Sequence, residues 1–98
     1  MKQHSTANIS KGSDGQRYTA DRVAKNVSRA KLRKIENFLE EHGYIFCEDC
    51  LRNDCVPIDC SHNISVAEAK KTGRVELAWD VENIKMRGRP CHKKHDKL

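Results

Sequence analysis

The feature that most constrains this chain is a Cys-x-x-Cys pair, Cys47 and Cys50, in a sequence too short and too polar to build a large core. The chain has 98 residues, of which 37% are hydrophobic and 34% are charged, and it contains five cysteines. A domain of this size buries only about 60–65% of the surface that its unfolded chain exposes. Such domains commonly need a metal ion or disulfides for stability. We therefore expect the cysteines to organise the fold.

The cysteines are predicted to be reduced thiols that bind zinc. Their number is odd, and residues 1–5 contain no apolar run of the kind that a secretory leader has. No stretch approaches the roughly 18 apolar residues of a membrane span, so no membrane association is expected and a cytoplasmic location is predicted. Close-set cysteines in a reducing compartment more often bind metal than form disulfides, and two thiolates at this spacing can reach one tetrahedral zinc. A thioredoxin-like redox pair is disfavoured because no βαβ pattern surrounds Cys47 and Cys50.

The charge distribution favours a polyanionic partner without identifying one. The net charge is +5 and the isoelectric point is near 9.1. Basic residues concentrate in a predicted helix and near the C-terminus, where the alternative to a ligand contact is a solvated basic face. We predict contacts with nucleic-acid phosphates at Arg22, Lys25, Arg29, Arg33, Lys85, Arg87, Arg89, Lys93 and Lys94.

Hydrophobic spacing and helix caps predict an α+β domain preceded by a basic helix. Thr19 can cap a helix over residues 20–41, where apolar residues recur at helical spacing, and Gly43 can end it. Residues 1–18 lack periodicity and are predicted to form a flexible tail, which leaves 19–43 as the basic helix and 44–98 as the small domain. The pattern of this domain predicts, in order, a β-prone run at 44–46, a strand ending at Ser61-His62, a helical turn at 67–71, a second strand at 75–79 and a short helix after Pro90.

Four polar residues, a His, an Asn and then two His, carry the candidate chemistry. His62 follows a predicted strand, and an imidazole can take a proton from water at neutral pH. His92 and His95 lie three positions apart, so on a helix they share one face, where one or both can hold a metal ion. The Asn83 amide can fix a loop by hydrogen-bonding backbone groups. Hydrolysis of a phosphodiester needs an activated water and a cation that neutralises charge on the phosphate, and these residues can supply both.

These residues resemble the motif of the HNH endonucleases, also called ββα-metal or His-Me finger nucleases. The resemblance rests on Ser61-His62, the Glu76-Leu77-Ala78-Trp79 run, Asn83 and Cys91-His92. It spans residues 44–96 and is nearest to the phage recombination nucleases of the NinG/Rap and endonuclease VII type. It implies a zinc-stabilised ββα-metal domain, with structural zinc on Cys47, Cys50 and Cys91. It also implies a general base at His62, Asn83 as the motif asparagine, and His92 as a ligand of a catalytic divalent ion.

Two positions depart from the family pattern. A cysteine is expected at position 88, where this chain has Gly88. The zinc then needs another fourth ligand, for which the candidates are Cys55, Cys60 and His95. Ser61 stands where many family members have an Asp or His that binds the catalytic ion. Asp59 lies on the same strand face as Ser61 if residues 59–62 are extended, so Asp59 is our candidate replacement, with His95 as a further candidate ligand.

The resemblance implies a phage or prophage DNA endonuclease for recombination or DNA processing in the bacterial host cytoplasm. It would use Mg²⁺ or Mn²⁺ for catalysis and Zn²⁺ for structure. A nuclease that cuts both strands commonly works as a dimer, and the helix over 20–41 is a candidate for a homodimer contact. One alternative is a non-catalytic zinc-binding module that contacts DNA or protein, which the changes at positions 61 and 88 favour. Another is a small phage effector that binds a host protein through the basic helix.

Overall fold

The computed structural model describes residues 9–96 and has a small α+β architecture. It contains two separate antiparallel strand pairs and three α-helices. The elements, in chain order, are β1 (Ile9–Lys11), β2 (Arg17–Thr19), α1 (Ala20–His42), β3 (Ile58–His62), α2 (Val66–Lys71), two 3₁₀ helices (Val75–Trp79 and Val81–Asn83), β4 (Ile84–Gly88) and α3 (Arg89–Asp96).

The predicted basic helix is confirmed as α1 (Ala20–His42). The Thr19 side chain caps its first turn by accepting a hydrogen bond from the Arg22 amide at 3.2 Å. Gly43 ends it in the left-handed conformation, at φ 83°, and donates its amide to the Leu39 carbonyl. The predictions of a helical turn at 67–71 and of a short helix after Pro90 are likewise confirmed by α2 and α3, although α3 begins one residue before Pro90, at Arg89.

The prediction of an irregular tail over residues 1–18 is wrong for its second half. Strands β1 and β2 form a short antiparallel hairpin, in which Ile9 pairs with Thr19 and Lys11 with Arg17. The hairpin is attached to the rest of the chain through Ser13, whose amide and hydroxyl both donate to the Glu76 carboxylate. A contact between residues so far apart in sequence cannot be predicted from the local hydrophobic pattern. Residues 1–8 of the predicted tail lie outside the described residues.

A second correction concerns residues 75–79, which were predicted to form the second strand of the central hairpin. They form a 3₁₀ helix, and its buried residues Val75 and Ala78 are three positions apart, as the threefold period of that helix requires. The strand that pairs with β3 is β4, in register from Ile58 opposite Gly88 to His62 opposite Ile84. Residues 44–46 also lie outside any strand, and the Phe46 ring packs at a tilt against Phe38 of α1, with ring centroids 4.9 Å apart.

Helices α1 and α3 cover opposite faces of the β3–β4 hairpin. On one face, the Cys60 thiol contacts the Lys31 carbonyl of α1 at 3.8 Å. On the other, Asp59 accepts from Arg89 of α3 at 3.2 Å. Because neighbouring strand residues point to opposite faces, Ser61 shares the α3 side with Asp59, and His62 lies on the α1 side. The main apolar core lies on this α1 side and combines Val23, Ala30, Phe38, Val75, Ala78, Ile84 and Met86.

Candidate functional site

Four of the five cysteines meet at one point. The ligand atoms of Cys47, Cys50, Cys55 and Cys91 all lie within 4.8 Å of one another, and the Sγ atoms of Cys55 and Cys91 are 3.8 Å apart. Sulfurs around a tetrahedral zinc with bonds of about 2.3 Å are separated by about 3.8 Å. The four cysteines therefore form a cluster that can hold a structural metal such as zinc.

The cluster joins three segments that are distant in sequence. Cys47 and Cys50 sit on a tight turn, closed by a hydrogen bond from the Leu51 amide to the Cys47 carbonyl, with Leu51 in the left-handed region at φ 61°. Cys55 comes from the loop before β3, and Cys91 comes from the first turn of α3. A metal bound here would fasten this loop and α3 to the turn.

Gly88 explains how Cys55 reaches the cluster. A Cβ atom on Gly88 would overlap the backbone carbonyl and the Sγ of Cys55, so only glycine leaves room for the Cys55 segment at the end of β4. A cysteine at position 88, as in the family pattern, would meet the same obstruction. Glycine at position 88 and Cys55 in the cluster are therefore structurally linked.

The other two candidates for a fourth ligand lie elsewhere. The Cys60 thiol contacts the Lys31 carbonyl and the Met86 sulfur on the α1 side of the hairpin. His95 Nε2 is hydrogen-bonded to the Asn63 carbonyl at 3.2 Å. Neither belongs to the cysteine cluster, so Cys55 is the candidate that the geometry favours.

The thiols of the cluster affect one another's protonation. Burial by itself raises the pKa of the Cys47 thiol, but hydrogen bonds from the amides of Cys50, Gly88 and Asp49 outweigh it and bring the pKa down to about 6. The hydrogen bond with Cys47, together with burial, raises the pKa of Cys91 to about 12. Burial also raises the pKa of Cys55. A bound cation would favour the thiolate form of all four cysteines.

His62 is held at the end of β3 by a backbone carbonyl. Its Nε2 lies 2.8 Å from the Ala78 oxygen. A carbonyl oxygen can only accept, so Nε2 carries the hydrogen, and in the neutral ring Nδ1 keeps its lone pair. This hydrogen bond therefore orients the imidazole and leaves Nδ1 able to accept a proton.

Asn83 performs the loop-fixing role predicted for it. The side chain is 7% exposed, and its Oδ1 accepts from the Ile64 amide at 2.9 Å. Its amide nitrogen donates to the carbonyls of Ile64 and Leu77, both at 2.9 Å. One asparagine thus joins both ends of the 64–77 segment, and this segment leads directly to the Ala78 carbonyl that holds His62.

The candidate ligands of a catalytic ion lie along the α3 side of β3. His92 Nδ1 is 3.7 Å from Asp59 Oδ2, and His95 contacts the Asn63 carbonyl. Hydrogen bonds from Arg89, and to a lesser extent its positive charge and His92, hold the pKa of Asp59 below its usual value, so the carboxylate is ionised. Within the described part of the chain, the cysteine cluster is the only group of three or more candidate metal ligands. Asp59 and His92 therefore form a pair rather than a complete cage.

Arg87 has a structural position that sequence reasoning missed. It was predicted to contact phosphate, but it is 4% exposed and makes only internal hydrogen bonds. Its guanidinium donates to the Asp49 carboxylate at 2.7 Å, to Ser61 Oγ at 2.9 Å and to Asn63 Oδ1 at 2.7 Å. It thereby joins the cysteine turn to the residues on either side of His62. The prediction that Arg87 binds nucleic acid is therefore not supported.

The remaining predicted phosphate contacts differ in how available they are. Lys85 is half-buried. Arg89 is paired with Asp59, and Lys25 with Asp21 at 3.6 Å. The exposed members are Arg22, Lys25, Arg29, Arg33, Arg89, Lys93 and Lys94.

Comparison of the chain with protein-family models, curated proteins and solved structures finds no match. None of the helices in residues 9–96 is long and apolar enough to cross a membrane.

Proposed function

We propose that this chain is a divalent-metal-dependent DNA endonuclease with a ββα-metal fold. The observation that carries the proposal is the arrangement around His62. Its imidazole is oriented by the Ala78 carbonyl, and the segment that supplies this carbonyl is fixed by Asn83. The strand–strand–helix order of β3, β4 and α3 agrees with it.

In this proposal His62 acts as the general base. With Nε2 donating to Ala78, Nδ1 is the nitrogen that accepts a proton from the attacking water. His62 is the last residue of β3, so the scissile phosphate binds at this end of the hairpin. Asn83 keeps the Ala78 carbonyl in place, so its contribution is positioning.

His92 and Asp59, with His95 nearby, would hold the catalytic Mg²⁺ or Mn²⁺. Such ions are commonly bound by one or two protein groups, with water and substrate phosphate oxygens completing the coordination, so an incomplete protein cage is compatible with this role. When bound, the ion supplies positive charge to the phosphate in the transition state. Exposed basic side chains of α1 and α3, among them Arg29, Arg33 and Lys93, would bind the DNA backbone.

Nicking of supercoiled plasmid tests the proposal. The purified protein is incubated with Mg²⁺, Mn²⁺ or EDTA beside His62→Ala and a control, His42→Ala, which removes an exposed histidine at the far end of α1. We expect nicking that needs the ion, is retained in His42→Ala and falls at least about 100-fold in His62→Ala, which is typical for loss of a general base. Undiminished nicking by His62→Ala would remove His62 from the mechanism.

A specific observation favours a second candidate, a non-catalytic metal-stabilised module that binds DNA or a protein. Ser61, at the position of the family's ion ligand, is 1% exposed and hydrogen-bonded to Arg87. His62 and Asp59 also lie on opposite faces of β3. A folded protein that shifts DNA without nicking it under any ion supports this candidate. A phage origin, action in recombination, a host-protein target and a homodimer remain predictions from the sequence.

A further inference from the structure

A groove between α1 and the 3₁₀ helix Val75–Trp79 is lined by arginine side chains and an indole ring. It has a volume of about 300 Å³ and is lined by Asn26, Arg29, Ala30, Arg33, Trp79 and Val81. Asn26, Ala30 and Arg33 recur at the spacing of one helix face, so α1 forms one wall and Trp79 the opposite one. The lining contains two guanidinium groups and no carboxylate.

The indole at this site packs against a second aromatic ring. Tyr18 of β2 makes a T-shaped contact with Trp79, with ring centroids 4.9 Å apart and planes at 64°. Trp79 is half-buried, so part of the ring remains accessible on the groove side. An aromatic surface with adjacent arginines can stack a nucleobase while the cations neutralise the flanking phosphates.

The groove lies close to His62. Trp79 directly follows Ala78, whose carbonyl holds the His62 imidazole. A strand bound in the groove would therefore lie next to the peptide whose carbonyl holds the proposed base.

We propose that this groove receives an unpaired nucleotide of the DNA strand, stacked on Trp79 with its flanking phosphates on Arg29 and Arg33. Inside a duplex both faces of a base are already stacked, so the indole can accept only a base that is single-stranded, splayed at a branch or flipped out. This inference rests on the proposed function, and it names the substrate class as DNA with an unpaired nucleotide near the cut.

The fluorescence of Trp79 provides the test, because it is the only tryptophan in the chain. The full chain is titrated with an oligothymidylate, with an abasic oligonucleotide of the same length and with a blunt duplex, while labelled-DNA anisotropy reports binding independently. We expect saturable quenching by oligothymidylate and little quenching by the abasic strand or the duplex. Absence of quenching at saturation, or equal quenching by the duplex, would overturn the inference.

Variants separate stacking from charge. Trp79→Leu should weaken oligothymidylate binding about 5- to 150-fold and leave abasic binding within about twofold. Trp79→Phe keeps a ring against Tyr18 and should bind oligothymidylate with an affinity close to that of wild type, which controls for folding.

Arg29→Met or Arg33→Met should weaken the binding of both oligonucleotides. Each should also reduce the slope of log affinity against log salt concentration by about 0.7 per lost phosphate contact, whereas Arg52→Met, on the loop after the cysteine turn, should not. Unchanged oligothymidylate affinity in Trp79→Leu would contradict the stacking role.

The two proposals fail in different ways. If the nuclease proposal is wrong, plasmid nicking is absent while Trp79 is still quenched by oligothymidylate. If the groove inference is wrong, Trp79→Leu nicks DNA as wild type does and the fluorescence is unmoved by a bound strand. If the groove inference is right, His62→Ala should retain the quenching whether or not the wild-type chain nicks DNA, because the groove does not include His62.

Discussion

A single side chain, Arg87, connects the metal-binding turn to the candidate base. Its three hydrogen bonds reach Asp49, between Cys47 and Cys50, and Ser61 and Asn63, on either side of His62. Removing one partner from a buried charge pair is costly, although Asp49 is 32% exposed and retains some solvation. We therefore expect Arg87→Met to lower the free energy of unfolding by about 2–3 kcal/mol, measured by urea denaturation.

The control for this prediction is Arg52→Met. Arg52 is also paired with an aspartate, Asp54, but both side chains are about two-thirds exposed, at 67% and 64%. An exposed pair contributes little to stability, because water screens both charges, so Arg52→Met should change the free energy of unfolding much less than Arg87→Met does. Arg87→Lys should fall between the two, because it keeps the charge but not the planar set of donors. Equal effects of Arg87→Met and Arg52→Met would show that the buried network contributes nothing beyond a surface pair.

The elements show where sequence reasoning reaches its limit. Helix α1 could be predicted because its cap at Thr19, its apolar spacing and its stop at Gly43 are all local. The choice of Cys55 among the three candidate fourth ligands could not, because it depends on the contact of its segment with Gly88, and these two segments meet only in the folded chain. Strand β4 could not be predicted for the same reason. In the sequence Arg87 looks like part of a solvated basic run, and only the folded chain shows its distant partner Asp49. Residues 75–79 alternate in polarity, yet their packing against α1 and α2 selects a 3₁₀ helix.

The contact of Gly88 with Cys55 lies at the junction of β4 and α3, and an added side chain tests it. Gly88→Ala should push the Cys55 segment away, because the added Cβ would overlap backbone as well as sulfur. We expect the variant to bind Co²⁺ with weaker thiolate-to-cobalt absorption and at least tenfold lower affinity, approaching Cys55→Ser. A Gly88→Ala protein with the spectrum and affinity of wild type would mean that Cys55 does not need this close contact to bind the metal.

Two separate features stabilise the whole molecule, an apolar core and the cysteine cluster. The apolar core joins α1 to the 3₁₀ helices and β4, while the cysteine cluster joins the 47–57 segment to α3. Few large side chains are fully buried, the largest being Ile84, Met86 and Val75, so the core alone provides limited stability. The cysteine thiols must lose their protons to bind a metal, so the affinity of the cluster for the metal should fall as the pH falls.

We therefore expect metal removal, by chelator or by acid, to release residues 47–57 and 89–96 before α1. Hydrogen exchange should rise first in those segments, and added Zn²⁺ at neutral pH should reverse the change. Cys60→Ala and Cys50→Ala form a matched pair of variants, since only Cys50 belongs to the cluster. Cys60→Ala should keep the bound metal and the protection of α3, whereas Cys50→Ala should lose both. If the two variants lost metal equally, the four-cysteine cluster would not be the site that stabilises this half of the molecule.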